Sequence, residues 1–196
     1  MVMREVYVER KTKETEIRVR LNLDGSGEAQ VETGIGFFDH MLTAFARFAY
    51  FDLLLQASGD LKVDTHHTIE DCGIVLGQAL REACGDKAGI ERIGETLLPM
   101  DEALVQVALD LSNRPYLVWD MALSEGMVGQ FPFEMAEEFF RALAVQSGLT
   151  LHIRQISGRN LHHILEAAFK GVGRALGLAL RQNTRYSGIL STKGIL

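Results

Sequence analysis

The sequence predicts an α+β protein made of two similar halves, each running strand, strand, helix, strand, helix. Three observations carry this reading. The pattern HHxxE stands at His66–Glu70 and again at His162–Glu166, offset by 96 positions in a chain of 196 residues. The segments around the two copies correspond in order and in hydrophobic period. Stretches of alternating apolar and polar residues are interleaved with stretches of helical spacing, which suits mixed or antiparallel sheets carrying helices on one face.

The first half opens on Glu16–Leu23 (EIRVRLNL), whose alternation suits a half-buried strand. Asp24-Gly25-Ser26-Gly27 is a turn and Glu28–Val31 a second strand. From Phe37 to Ala49 apolar residues fall at helical spacing, with Asp39 near the start. Leu53–Ala57 and Leu61–Val63 read as strand, and His66 opens a second helix. In the second half Ala103–Leu111 alternates again, Asn113-Arg114-Pro115 turns, and Tyr116–Trp119 is a strand. Glu134–Gln146 is a helix, Leu149–Gln155 a strand, and His162 stands at the start of the final helix. The halves are residues 1–94 and 95–196, joined through the glycine-rich stretch Gly85–Gly94 with no Pro/Ser-rich linker.

Composition narrows the function. Hydrophobic residues make up 47% and charged residues 23%, an ordinary globular mix that excludes disorder and a coiled coil. Twenty Lys+Arg against 26 Asp+Glu give a net charge of −6, which argues against a nucleic-acid or anionic-membrane partner. Cys72 and Cys84 make no disulfide framework and no CxxC, and read as small core residues. Met1–Lys13 lacks the apolar core of a secretory leader, and the longest apolar stretch, near Phe48–Leu55, is too short to span a bilayer. The expected setting is cytoplasmic.

The chemistry lies in the repeated motif. At a helix start His66 and Glu70 are four apart and His67 and Glu70 three apart, so they share a face, as do His162, His163 and Glu166. Imidazole with carboxylate suits manganese, iron or zinc. Two solvent-facing helix starts would leave the repetition without a cause, since paired histidines have no special value as caps. Successive helical side chains point about 100° apart, so two metals, each bridging elements of different halves or subunits, fit better than one ion held by both rings. The repeat also matches His40 with Glu138 on equivalent helices and so adds both as ligands. His152 reads as structural. Lys193 in Ser191-Thr192-Lys193-Gly194 pairs hydroxyls with a point charge, a phosphate grip to which Arg92, Arg114 and Lys170 are further candidates. Gly171 and Gly173 form a GxG inside a helical pattern, which is no dinucleotide fingerprint.

The ordered motifs resemble the imidazoleglycerol-phosphate dehydratase family over nearly the whole chain. They are Arg10–Thr15, Thr33–Leu42 (TGIGFFDHML), Asp64–Asp71 (DTHHTIED), Met100–Ala103, Asp110–Tyr116 (DLSNRPY), Asn160–Lys170 and Ser191–Gly194. The resemblance implies a duplicated-half fold, two Mn2+ per active site, and a homo-oligomer of 24 subunits with sites at subunit interfaces. His40, His66, His67, Glu70, His162, His163 and Glu166 are then metal ligands, joined by Glu138 from the repeat. Glu14, Arg92, Arg114, Lys170, Ser191 and Lys193 touch a small phosphate substrate. Many members carry His at the position of Glu138, and members commonly carry Gln and His at those of Ala44 and Phe48.

The implied reaction removes water from imidazole glycerol phosphate to give imidazole acetol phosphate. The proton to be removed sits on a carbon beside no carbonyl, beyond the reach of an ordinary carboxylate base. A metal-bound imidazolate that expels the neighbouring hydroxyl, leaving a diazafulvene-like intermediate, makes that proton acidic. Glu14, Glu70, Glu166 and Asp101 are the acid/base candidates. A di-metal phosphoester hydrolase would share the ligands but release phosphate, and a metal-stapled assembly without activity would leave Arg114 and Lys193 unexplained.

Overall fold

The computed structural model describes residues 4–122 and 125–196; the opening residues of the stretch read as lacking a leader, 1–3, lie outside it. The first half contains β1 (Glu5–Lys11), β2 (Thr15–Asn22), β3 (Ala29–Glu32), α1 (Gly36–Ala49), β4 (Asp52–Gly59) and α2 (His66–Cys84). The second contains β5 (Ile93–Met100), β6 (Ala103–Asp110), β7 (Tyr116–Asp120), the short pair β8 (Met127–Val128) and β9 (Phe131–Pro132), α3 (Glu134–Ser147), β10 (Thr150–Ser157) and α4 (Leu161–Ala179). The strand, strand, helix, strand, helix order runs through both halves, each preceded by one further strand, β1 or β5, and in the second half the short pair β8–β9 is inserted between β7 and α3.

The two main sheets have one topology, β1-β2-β4-β3 and β5-β6-β10-β7. Three strands of each run antiparallel, and the fourth pairs in parallel, β3 with β4 and β7 with β10. Alternation explains the central strands. Ile17, Val19 and Leu21 of β2 are fully buried while Arg18 and Arg20 face solvent, and Val105, Val107 and Leu109 repeat this on β6. Leu61–Val63, read above as strand, is instead a turn in which the Val63 N–H donates to the Asp60 carbonyl at 2.7 Å. Val63 is 69% exposed there: three residues without a partner strand gain nothing from extension.

Between the sheets the helices cross-pack, α1 on α4 and α2 on α3. Small residues allow the close approach. A Cβ at Gly173 would stand 2.2 Å from the Phe45 carbonyl oxygen and one at Gly177 2.7 Å from that of Ala49. Gly73 and Gly77 do the same against the Phe139 and Leu143 carbonyls, at 2.6 and 2.8 Å. Gly173 of the GxG is therefore a packing residue. Around Phe169, Phe140 stands at 4.7 Å, Phe139 at 5.4 Å and Phe38 at 6.3 Å between ring centroids, joining the halves in one core. Cys72 and Cys84 are buried and free, and burial pushes the Cys84 thiol up to about 11. Among the described residues no helix is long and apolar enough to cross a membrane.

Candidate metal centre and anion pocket

Local hydrogen bonds set the start of each helix that carries a motif. The Asn160 side chain accepts from the His162 and His163 N–H groups at 2.9 and 3.4 Å, fixing the first turn of α4. Asp64 accepts from the His66 N–H at 2.8 Å before α2. Asp39 accepts from the Thr33 N–H and hydroxyl at 2.8 and 2.5 Å, tying the first turn of α1 to the segment entering it, with His40 as the next residue.

Cross-packing of α1 on α4 then brings His40, His162 and Glu166 together, with one ligand atom from each lying within 4.8 Å of the others. Glu166 Oε2 is 3.1 Å from His162 Nε2 and 3.7 Å from His40 Nε2. Its other oxygen, Oε1, accepts from Lys170 Nζ at 2.6 Å. Burial acts to raise the Glu166 pKa, but Lys170, His40 and His162 outweigh it and hold the carboxyl below its usual range. Lys170 also lies 5.2 Å from the Phe48 ring centroid, so the cation is clamped between carboxylate and aromatic face.

The remaining motif residues form pairs. His66 Nε2 is 3.7 Å from Glu70 Oε2. His67 Nδ1 meets Asp60 at 3.0 Å, with Glu14 Oε2 at 3.9 Å, and the hydrogen bond to Asp60 raises its pKa. Glu14 is placed by the β1–β2 turn, where Thr12 Oγ1 accepts from the Glu14 and Thr15 N–H groups at 3.1 and 2.9 Å. His163 Nδ1 meets Glu102 Oε2 at 2.6 Å, and its Nε2 is 3.7 Å from Asp101. Glu102 also accepts from the Arg159 and Asn160 N–H groups, and with the His163 hydrogen bond foremost its pKa falls to about 2. Asp60 escaped the sequence reading, and Glu102, though inside the Met100–Ala103 motif, was given no role in it.

Glu138 is not gathered into the triad; on α3 it meets Arg141 at 3.6 Å. His152 is exposed on the outer face of β10, where it lines an open cavity of about 440 Å³ with Gln106, Asp120 and Arg154.

A second assembly collects the anion-binding candidates. Arg92, Arg114, Ser191 and Lys193 line one cavity of about 680 Å³. Arg92 is committed internally, donating to both Asp110 oxygens at 2.7 and 2.8 Å and to the Leu190 carbonyl at 2.5 Å. Arg114 is 70% exposed at its side chain, 3.8 Å from Asp110, and Lys193 is exposed. These two are the open cations of the pocket, while Lys170 belongs to Glu166.

The sequence over residues 33–176 matches the model of the imidazoleglycerol-phosphate dehydratase family. An imidazoleglycerol-phosphate dehydratase of Desulfitobacterium hafniense (strain Y51) is 74% identical over 196 residues, the full length of both chains. The crystal structure of the Staphylococcus aureus dehydratase superposes with a TM-score of 0.83 at 41% identity, covering 91% of this chain and 99% of that one. The Pyrococcus furiosus enzyme, solved in complex with (S)-C348, gives 0.83 at 42%, covering 96% and 100%.

Proposed function

Because the chain belongs to the imidazoleglycerol-phosphate dehydratase family, hydro-lyases of histidine biosynthesis acting on a small phosphate substrate, we propose that it is a Mn2+-dependent enzyme dehydrating imidazole glycerol phosphate to imidazole acetol phosphate. The observation that carries the metal is the convergence of His40, His162 and Glu166. Two imidazoles and a carboxylate suit a borderline cation such as Mn2+, and Lys170 on Oε1 leaves Oε2 for it.

His66 and Glu70, with Glu138, would hold a second ion. Two facts support Glu138: α1 and α3 are both 14 residues long with His40 and Glu138 in the same fifth place, and α3 packs on α2 as α1 packs on α4. His67 and His163 complete the ligand set. Asp60 on Nδ1 of His67 leaves Nε2 of that ring as its metal-binding atom. When bound, the metals supply positive charge that favours the anionic form of the substrate imidazole.

The chain's own residues do the rest. Arg114 and Lys193 bind the phosphate, with Ser191 and the Asp110-anchored Arg92 shaping the pocket, so that remote binding energy orients the reacting carbons. Glu70 and Glu166 serve as ligands. Glu14, beside His67, takes the C–H proton next to the carbon that loses its hydroxyl, and Asp101, beside His163, gives the proton with which that hydroxyl leaves as water. The enol then becomes the ketone, and the phosphate ester stays intact. Active sites at subunit interfaces of a cytoplasmic 24-subunit assembly complete the reading; Ile93, Leu97 and Tyr116 of the second sheet, each more than half exposed, support burial by further copies.

The test is turnover by metal-stripped protein with added Mn2+, following ketone and free phosphate together. Metal-dependent ketone without phosphate release is expected. Phosphate without ketone would instead identify a hydrolase, and metal-independent ketone would refute the role of the triad.

A further inference from the structure

Lys87 is 3% exposed, and no ion pair holds it among the described residues. Its Nζ donates to one side-chain acceptor, Asn113 Oδ1. A buried ammonium is costly when a single amide oxygen receives it, and burial lowers the Lys87 pKa accordingly. The carboxylate that could have answered it, Asp110, is already spent on Arg92. An apolar side chain of the same length would fill the space without that cost, so the ammonium calls for a specific task.

Its position supplies one. Lys87 lies in the connection Gly85–Arg92, itself in the left-handed region at φ +62°. That connection carries two walls of the anion pocket. One is Arg92. The other is the C-terminal segment bearing Ser191 and Lys193, which is laced to the connection through Gly89 N–H to Gly188 C=O at 2.9 Å and Asn183 N–H to Gly89 C=O at 2.8 Å. The third wall is Arg114, which follows Asn113. Asn113 is also left-handed, at φ +58°, a conformation rare for side-chain-bearing residues and best tolerated among them by asparagine and aspartate. The Arg114 backbone is fixed on either side, its N–H on Ser112 Oγ at 3.1 Å and its carbonyl accepting from Thr150 Oγ1 at 2.8 Å. The direction of its side chain is therefore set by the Asn113 turn. Lys87 is the side-chain tie between that turn and the segment holding the other two walls.

We infer that Lys87 is a positioning residue of the anion pocket, locking the Asn113 turn against the Gly85–Arg92 connection so that Arg114 faces the substrate phosphate beside Lys193. The inference rests on the phosphate role given to this pocket under the proposed function.

Inorganic phosphate titrated calorimetrically into the Mn2+-loaded, assembled protein tests it, alongside steady-state kinetics. Lys87→Met is expected to bind phosphate about tenfold more weakly and to raise KM about tenfold with kcat within about twofold, the loss of one charge-assisted contact made equally in ground and transition states. Asn113→Ala, at the exposed end of the tie, should do the same, and it carries the test if Lys87→Met does not fold. Asn113→Gly, which adopts the left-handed turn freely but lacks the acceptor for Lys87, should weaken phosphate binding as Asn113→Ala does, and parent-like affinity there would overturn the inference by showing that the turn alone suffices. Unchanged phosphate affinity in Asn113→Ala or in folded Lys87→Met overturns the inference, as does a fall in kcat at constant KM. A parent that binds phosphate but makes no ketone refutes the dehydratase reading alone, and the comparison of phosphate affinities still decides on Lys87. A parent with no phosphate binding overturns the pocket and the role of Lys87 with it.

Discussion

Lys170→Met probes the centre from its own counter-ion. The substitution removes an ammonium 2.6 Å from Glu166 Oε1, in a pair whose side chains are 18% and 8% exposed. Removing one partner of a buried pair costs about 3–5 kcal/mol because the other charge stays behind. Here His162 and His40 remain at 3.1 and 3.7 Å and take up part of the charge when protonated, which brings the loss to about 2–3 kcal/mol. A chain of this size shifts Tm by about 2–4 °C per kcal/mol, so the metal-stripped variant should melt about 4–12 °C below its parent. With Mn2+ bound at Oε2 the cation replaces part of the lost charge, and the gap should shrink to less than half. Calorimetry at equal protein concentration measures both states, since anything that binds only the folded chain raises Tm by mass action. The sign with pH follows from the depressed Glu166 pKa. Its contribution is present above the ordinary carboxylate range and lost as pH falls through the folded value, so variant and parent converge in acid. An equal drop with and without Mn2+ would refute the sharing of Glu166 between lysine and metal, and no drop in stripped protein would refute the burial argument itself.

Further substitutions separate the other roles. His40→Ala and Glu138→Ala should each halve the Mn2+ retained after desalting, by elemental analysis; full retention in Glu138→Ala would leave that carboxylate to Arg141. Glu14→Gln should lower kcat about 100-fold, the scale of a lost general base, with metal content unchanged; matched losses of both would make Glu14 a ligand. Glu102→Gln should bring the His163 pKa down toward the ordinary imidazole range, read by NMR on metal-free protein. Its destabilisation should be full between the ordinary carboxylate and imidazole ranges, fade as pH falls toward about 2, where the parent carboxylate also protonates, and shrink as pH rises through the raised His163 value.

The two helix starts were legible because HHxxE is rare and its repeat offset matches the length of one structural half. The leading strands were harder to read for physical reasons. β5 contains Gly94 and Pro99, residues that weaken a strand signal, and β1 is an edge strand with no fully buried residue, so its alternation carries little hydrophobic contrast. The roles of Asp60 and Glu102 were invisible because they lie in tertiary placement: Glu102 reaches His163 across 61 positions. Arg92 and Arg114 looked alike as basic residues, yet one is spent on Asp110 and the Leu190 carbonyl while the other stays open. That distinction belongs to packing, which periodicity does not encode.

Cross-packing makes the duplication necessary to the chemistry. Were α1 packed on α2 and α3 on α4, each half would close its own core and His40 would lie beside its own motif. Instead α1 meets α4 and α2 meets α3, so the triad takes His40 from the first half and His162 and Glu166 from the second. The same geometry spends Gly73, Gly77, Gly173 and Gly177 on close helix contact. A substitution such as Gly173→Ala would force α4 away from the Phe45 carbonyl, about one and a half turns along α1 from His40. Its damage would therefore appear in metal affinity as well as in stability, whereas Gly73→Ala, at the α2–α3 crossing, would leave the triad nearer to its parent strength. Differential Mn2+ affinity of these two variants reads the architecture directly: equal effects on the triad would mean that the helix pairs do not divide the donors as the packing indicates.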